Sequence, residues 1–354
     1  MIGLIITWTA SKASRATATT AANHDATRSA SGRAGGIAGF SGIGILLNVT
    51  YTEHCTITTA SYVIRDPANR HRDEDDMCEF CTQHGDGKKW YLEASNYASD
   101  LESDLERRGY MVDFVTAFDR RMSRNIKLLD VVMASPRPIR RAVRAVTARG
   151  QKRDHFGQPV PIEDCERILD IASSIVQLPC VCRHFAKRPE RGYCLAITVN
   201  PADGALAEAF SGYADGPDAS KFQRLTKDEA LAVLRRCETE GLMHSIWTFK
   251  TPFISAICNC DLGSGCMAMK TTVDYGLQVM WKGEYVAAVD AGTCVACGAC
   301  LERCPLSAIG SDASRRAVVD QHACYGCGTC RSACKKGSIS LSERSTIPAV
   351  ATDW

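Results

Sequence analysis

Apolar side chains recur at helical spacing from Trp90 to Met122, at Leu92, Tyr97, Leu101, Leu105, Met111, Phe114 and Phe118, with Gly109 interrupting the series. That period predicts two helices broken at the glycine. Pro161 to Val176 predicts another: Pro161 suits a first turn, Glu163 and Asp164 complement the N-terminal dipole, and Ile162, Ile168, Leu169 and Ile175 share a core-facing stripe. A further helix starts at Thr226, which has capping-box spacing to Glu229, and runs through Leu231 and Leu234 to Glu240, with Gly241 as its stop. Cys165 and Cys237 fall on the packed faces of these two helices. Leu242 to Phe249 is strand-like, so helix, turn and strand follow one another in a winged-helix-like order. Tyr285–Val289 and Arg316–Asp320 are short β-type runs, and Pro305–Ile309 reads as a helical turn. The expected class is α+β, with a helical region over 77–155, a Cys-rich middle domain over 156–284, a small C-terminal domain over 285–345 and a tail over 346–354.

Residues 1–76 break this pattern. They are rich in Ala, Thr, Ser, Gly and Arg, carry no sustained period and offer little to bury, which predicts a disordered extension. Met1–Trp8 lacks a basic leader, Gly35–Gly44 lacks dinucleotide-loop spacing, and Cys55 stands alone. Dense aromatic and charged sequence begins at Met77, the expected natural start, which makes the upstream block a candidate for an over-extended reading frame.

A formal charge of +2 implies no global attraction to nucleic acid or membrane, so any basic docking surface must be local. No apolar run approaches the roughly 18 residues that span a bilayer. The nineteen cysteines change the picture most. Cys294, Cys297, Cys300 and Cys304 follow a C-x2-C-x2-C-x3-C spacing, and Cys324, Cys327, Cys330 and Cys334 repeat it. Three thiolates two residues apart wrap one face of a cubane and leave one iron to be held from elsewhere. Zinc modules usually separate two C-x2-C knuckles by a longer spacer. Thiolates that hold iron must stay reduced, which points to a cytoplasmic compartment.

This segment resembles the bacterial two-[4Fe-4S] ferredoxin family over about sixty residues. In that family the last cysteine of each run crosses over. The resemblance therefore implies one [4Fe-4S] cluster on Cys294, Cys297, Cys300 and Cys334, and a second on Cys324, Cys327, Cys330 and Cys304. The second run departs from the family in ending Cys334-Lys335-Lys336 where Cys-Pro is usual. Lysine leaves the ligand in place and adds positive charge, biasing a nearby cluster towards easier reduction.

Further candidates lie outside this segment. Cys78-Glu-Phe-Cys81 with His84 is either a structural thiol pair or half a metal site, whose remaining ligands must come from afar. Cys180, Cys182, Cys194, Cys258, Cys260 and Cys266 contain two C-x-C pairs that, brought together, would hold a third iron-sulfur cluster or zinc; packed thiols are the bland alternative. From Arg137 to Arg153 there are seven basic residues and no acidic one, which makes a solvated helix face, a docking strip for an acidic redox partner or, third, a nucleic-acid contact. The phrases from Cys78 to Trp90, Cys180 to Arg183, and Gly241 to Cys260 resemble a group of poorly characterised microbial ferredoxin-like proteins, over nearly all of residues 77–345.

The first functional expectation is a non-catalytic electron relay, passing single electrons between partners of flavoprotein, hydrogenase or molybdenum/tungsten enzyme type. The second is a catalytic iron-sulfur subunit with a substrate-facing centre beside Arg183, His184 or His244. The third is a redox-sensing DNA-binding regulator, which the near-neutral charge disfavours. No Rossmann, P-loop or radical-SAM fingerprint is present.

Overall fold

The computed structural model describes residues 89–97, 104–172, 174–188, 193–198, 222–263 and 265–353. The readings of residues 1–76, Met77, Cys78, Cys81 and His84 lie outside the described residues. All described residues belong to one compact unit, His71–Trp354.

Trp90–Leu92 and Ala94–Tyr97 are short 3-10 turns that bury their aromatic rings. Helix α1 (Leu105–Thr116) is capped by Asp104, whose carboxylate accepts from the Arg107 amide at 2.8 Å. It runs through Gly109 unbroken, and the interruption falls at Ala117, after which α2 (Phe118–Met133) follows directly. A helical glycine costs only about 1 kcal/mol, which the packing of Met111, Val115 and Phe118 outweighs. Helix α3 (Arg137–Asp154) contains the whole basic run.

After β1 (Gly157–Pro159), helix α4 occupies Ile162–Ile171 and stops there. The expectation of one helix to Val176 is corrected: Ser174–Leu178 is strand β2, buried at four of its five positions. β-Branched Ile175 and Val176 fit a pleated surface better than a helix end. A short helix, α5 (Val181–Phe185), precedes β3 (Cys194–Thr198) and the two-residue β4 (Gln223–Arg224). Helix α6 (Lys227–Glu240) has the expected capping box, with Thr226 and Glu229 exchanging hydrogen bonds, and ends at Gly241 with φ of 85°. Strands β5 (Met243–Thr248) and β6 (Ile254–Cys260) follow, then helix α7 (Met267–Val273).

The expected succession of helix, turn and strand is present, but its strand is not a small wing. It joins an antiparallel six-stranded sheet ordered β1-β5-β6-β3-β2-β4. Local periodicity cannot show partners so distant in sequence. One face of the sheet, with Leu195, Ile197, Ile246 and Ile257, packs on α4 and α6, where Cys165 and Cys237 are fully buried core thiols. The other face packs Val176, Leu178 and Ala196 on α1 and α2, and Met243, Trp247 and Cys260 on α7.

The C-terminal segment pairs β7 (Tyr285–Val289) with β10 (Ile339–Glu343), and β8 (Ile309–Ser311) with β9 (Ala317–Val319). Its helices are α8 (Ala299–Arg303) and α9 (Thr329–Ala333). The helical turn expected at Pro305–Ile309 is instead a turn leading into β8, and the helix lies before Cys304. Tyr91 and Tyr285 both donate to the Asp164 carboxylate, at 2.7 and 2.9 Å, tying the first aromatic turn and β7 to α4. Arg331 on α9 pairs with Glu163 at 2.6 Å.

Candidate metal centres

The two cysteine loops repeat one spacing, thirty residues apart. In each, a glycine with φ near 80° (Gly298, Gly328) turns the chain into a five-residue helix ending before the fourth cysteine. In each, that cysteine's sulfur accepts an amide four residues on, Ala308 N–H to Cys304 and Ser338 N–H to Cys334, both at 3.3 Å. At one pair of equivalent positions the steric constraint differs. Ala296 and Gly326 both adopt positive φ, but a Cβ on Gly326 would lie 2.0 Å from the Tyr285 carbonyl oxygen, so only glycine fits there.

The fourth cysteines exchange places. Cys334 lies with Cys294, Cys297 and Cys300, close enough that their charges act on the Cys300 thiol. Cys304 acts likewise on Cys327 and Cys330, together with Cys324. Cys304, Cys324, Cys327 and Cys330 line one apolar cavity with Leu306, Ile309 and Tyr325. Burial pushes the Cys327 thiol up to about 11 and the Cys330 thiol further in the same direction, so these groups shed protons when they take a metal.

The surroundings differ. Cys297 is exposed and the neighbouring Val295 is 57 % exposed, so the set containing them opens to solvent. Cys324 and Cys330 are buried, and beside them lies the fully buried Arg344. Its guanidinium donates to the carbonyls of Gly283 (2.9 Å), Tyr285 (3.0 Å) and Cys324 (2.7 Å). Sequence reasoning missed Arg344, which sits in a polar stretch with no motif to single it out. Lys335 and Lys336, by contrast, are exposed beside Cys334. An inner set and an outer set of four thiols therefore share one small fold, with amides aimed at their sulfurs. That is the arrangement of a ferredoxin-type iron-sulfur domain.

Residues 264–339 match the family model described as a 4Fe-4S dicluster domain. No curated protein and no solved structure matches the chain. The chain thus carries a ferredoxin-like 4Fe-4S domain, and electron transfer through iron and sulfur is its general function. No helix among the described residues is long and apolar enough to cross a membrane.

The other six candidate cysteines also come together. Cys180 and Cys182 lie at the start of α5, Cys194 begins β3, Cys258 and Cys260 share one face of β6, and Cys266 caps α7. Their thiols contact one another in a closed circuit, Cys180–Cys182–Cys266–Cys260–Cys258–Cys194 and back to Cys180. Neighbouring thiols donating to Cys180 and Cys266 hold those two well below the ordinary thiol range. The remaining four are pushed well above it, chiefly by hydrogen bonds to their ring neighbours. No three His, Cys, Asp or Glu side chains among the described residues gather as a single metal ion would require.

Arg183 is buried alongside, its guanidinium carbon 4.3 Å from the Tyr193 ring centre and its Nη2 3.7 Å from Asp261 Oδ1. His244 is elsewhere: it alternates with Met243 and Ser245 on β5, faces away from the thiols, and binds Asn259 through Nδ1 at 2.6 Å. On α3, Arg137, Arg141, Arg149 and Arg153 are exposed, whereas Arg140 and Arg144 turn inward to the carbonyls of Met133 (3.2 Å) and Tyr275 (2.9 Å).

Proposed function

We propose that the protein is an electron relay carrying two [4Fe-4S] clusters, an outer one on Cys294, Cys297, Cys300 and Cys334 and an inner one on Cys324, Cys327, Cys330 and Cys304. The observation that carries this reading is the proximity of Cys334 to Cys294, Cys297 and Cys300 and of Cys304 to Cys324 and Cys327, with one set opening to solvent and one enclosed. Clusters so placed take up an electron at the surface and pass it inward, or the reverse, without proton transfer or a nucleophile. The redox partners are proteins of flavoprotein, hydrogenase or molybdenum/tungsten enzyme type, and the compartment is the reducing cytoplasm.

Docking of an acidic partner falls to α3, where Arg137, Arg141 and Arg149 stand exposed with Ile139 and Val146, which are 52 % and 56 % exposed. Charge steers the encounter and the apolar side chains supply contact area.

Anaerobic potentiometric titration followed by EPR tests the relay. Two one-electron [4Fe-4S] signals are expected, together with rapid exchange of electrons with a reduced flavoprotein. A single cluster, or two clusters that exchange with no redox protein offered, would overturn it.

A further inference from the structure

We infer that Cys180, Cys182, Cys194, Cys258, Cys260 and Cys266 form a third, polynuclear iron-sulfur site of at least four irons. Buried free cysteines usually act as small apolar side chains among other apolar groups, as Cys165 and Cys237 do in the core under α4 and α6. These six instead touch one another in a ring built from two helix starts and two neighbouring strands. Residues far apart in the chain thus meet in one ring.

The number of thiols in the ring favours a polynuclear occupant. One tetrahedral ion takes four sulfurs about 2.3 Å from a single point and would leave two of the six unused. A wider metal-sulfide core places its irons apart, each within reach of a different thiolate. Soft thiolate ligands favour iron-sulfur clusters among such cores. A single cubane uses four of the six thiols, and a larger fused core uses more.

Arg183 gives an independent indication. Its buried Nη2 has no hydrogen-bond partner among the described residues and pairs with Asp261 Oδ1 only at 3.7 Å. Asp261 thus supplies one negative charge without filling the donor, and an anion in the ring would supply a second. The Arg183 charge acts on Cys180, so a thiolate-bound core in the ring would supply that second charge.

The site also lies on the route inward. Cys258, Cys260 and Cys266 belong to the same apolar cluster as Leu306, Tyr325 and Cys327, the last a candidate ligand of the inner cluster. An electron leaving that cluster reaches the ring without crossing solvent. The ring stands apart from the relay reading, because its ligands are separate and it would hold a cluster whatever the other two served.

The test is metal and sulfide counting on the full chain purified without oxygen, with Mössbauer spectroscopy to separate the clusters. Two ferredoxin clusters account for about eight irons. About twelve or more are expected, and Cys258→Ser/Cys260→Ser should return to about eight while the two ferredoxin signals persist. Should that variant fail to fold, alkylation of the native wild type decides: the six thiols should resist reagent until iron is chelated. Arg183→Met should lower the potential of the third signal alone. About eight irons in the wild type, one zinc in place of the excess iron, disulfides among the six, or free alkylation of the native protein would each overturn the inference. A shortfall confined to the ferredoxin signals would count against the relay reading and leave the ring intact.

Discussion

The outer and inner cysteine sets are written with the same spacing and end in different environments. The outer set has an exposed Cys297 and two exposed lysines after Cys334. The inner set is enclosed by apolar side chains and backed by buried Arg344, whose charge cannot be screened by salt as theirs is. In the proposed relay the spacing would secure coordination, while the surroundings would fit the outer site for contact with a partner and the inner site for a tuned potential.

The largest effect should come from exchanging ligands. Cys334→Ser, although it lies in the second motif, should abolish the outer signal and cost about four irons, with the inner signal retained. Loss of the inner signal instead would reverse the assignment of the two sites.

Arg344→Met comes next. Removing a buried charge with three carbonyl partners should destabilise the chain by about 3 kcal/mol in denaturant titration. It should also lower the inner potential by on the order of 50 mV, since about 1.4 kcal/mol equals about 59 mV for one electron. Arg344→Lys should recover much of the potential and little of the stability. An inner potential indifferent to both variants would remove charge as the difference between the sites.

Reversing Arg137, Arg141 and Arg149 to Glu should slow electron exchange with an acidic partner about tenfold at low salt and flatten its ionic-strength dependence, with both spectra unchanged. Arg140 and Arg144 are left intact because they hold α3 against the body of the protein. An unaltered rate in stopped-flow measurements would make the strip an ordinary solvated face.

The smallest effect belongs to Lys335→Pro, which restores the family's residue. The outer potential should fall by only about 10 mV, because an exposed charge is largely screened. A shift as large as that of Arg344→Met would erase the contrast between exposed and buried charge.

The ferredoxin-like 4Fe-4S domain is legible in the sequence because its signature is local: C-x2-C-x2-C is a statement about neighbours in the chain. The capping box at Thr226 and Glu229 is legible for the same reason. The ring of six is visible there only as two C-x-C pairs, because what closes it is the antiparallel pairing of β3 with β6 and the return of α7, both contacts between distant segments. Arg344 carries no signal at all, since its role depends on three carbonyls from elsewhere in the fold. The end of α4 is ambiguous in sequence because Ile175 suits a helical stripe as well as a strand, and only the neighbours Ile197 and Arg224, on the strands flanking Ser174–Leu178, settle which one it joins.

Gly326 bears on the history open to the two loops. Any side chain there would collide with the β7 backbone, whereas the matching Ala296 already carries one and tolerates it. If both loops descend from one duplicated ancestor, the outer copy is free to wander at this position and the inner copy is pinned. Variation accumulating over generations should therefore gather in the outer loop, while the inner one stays as it was.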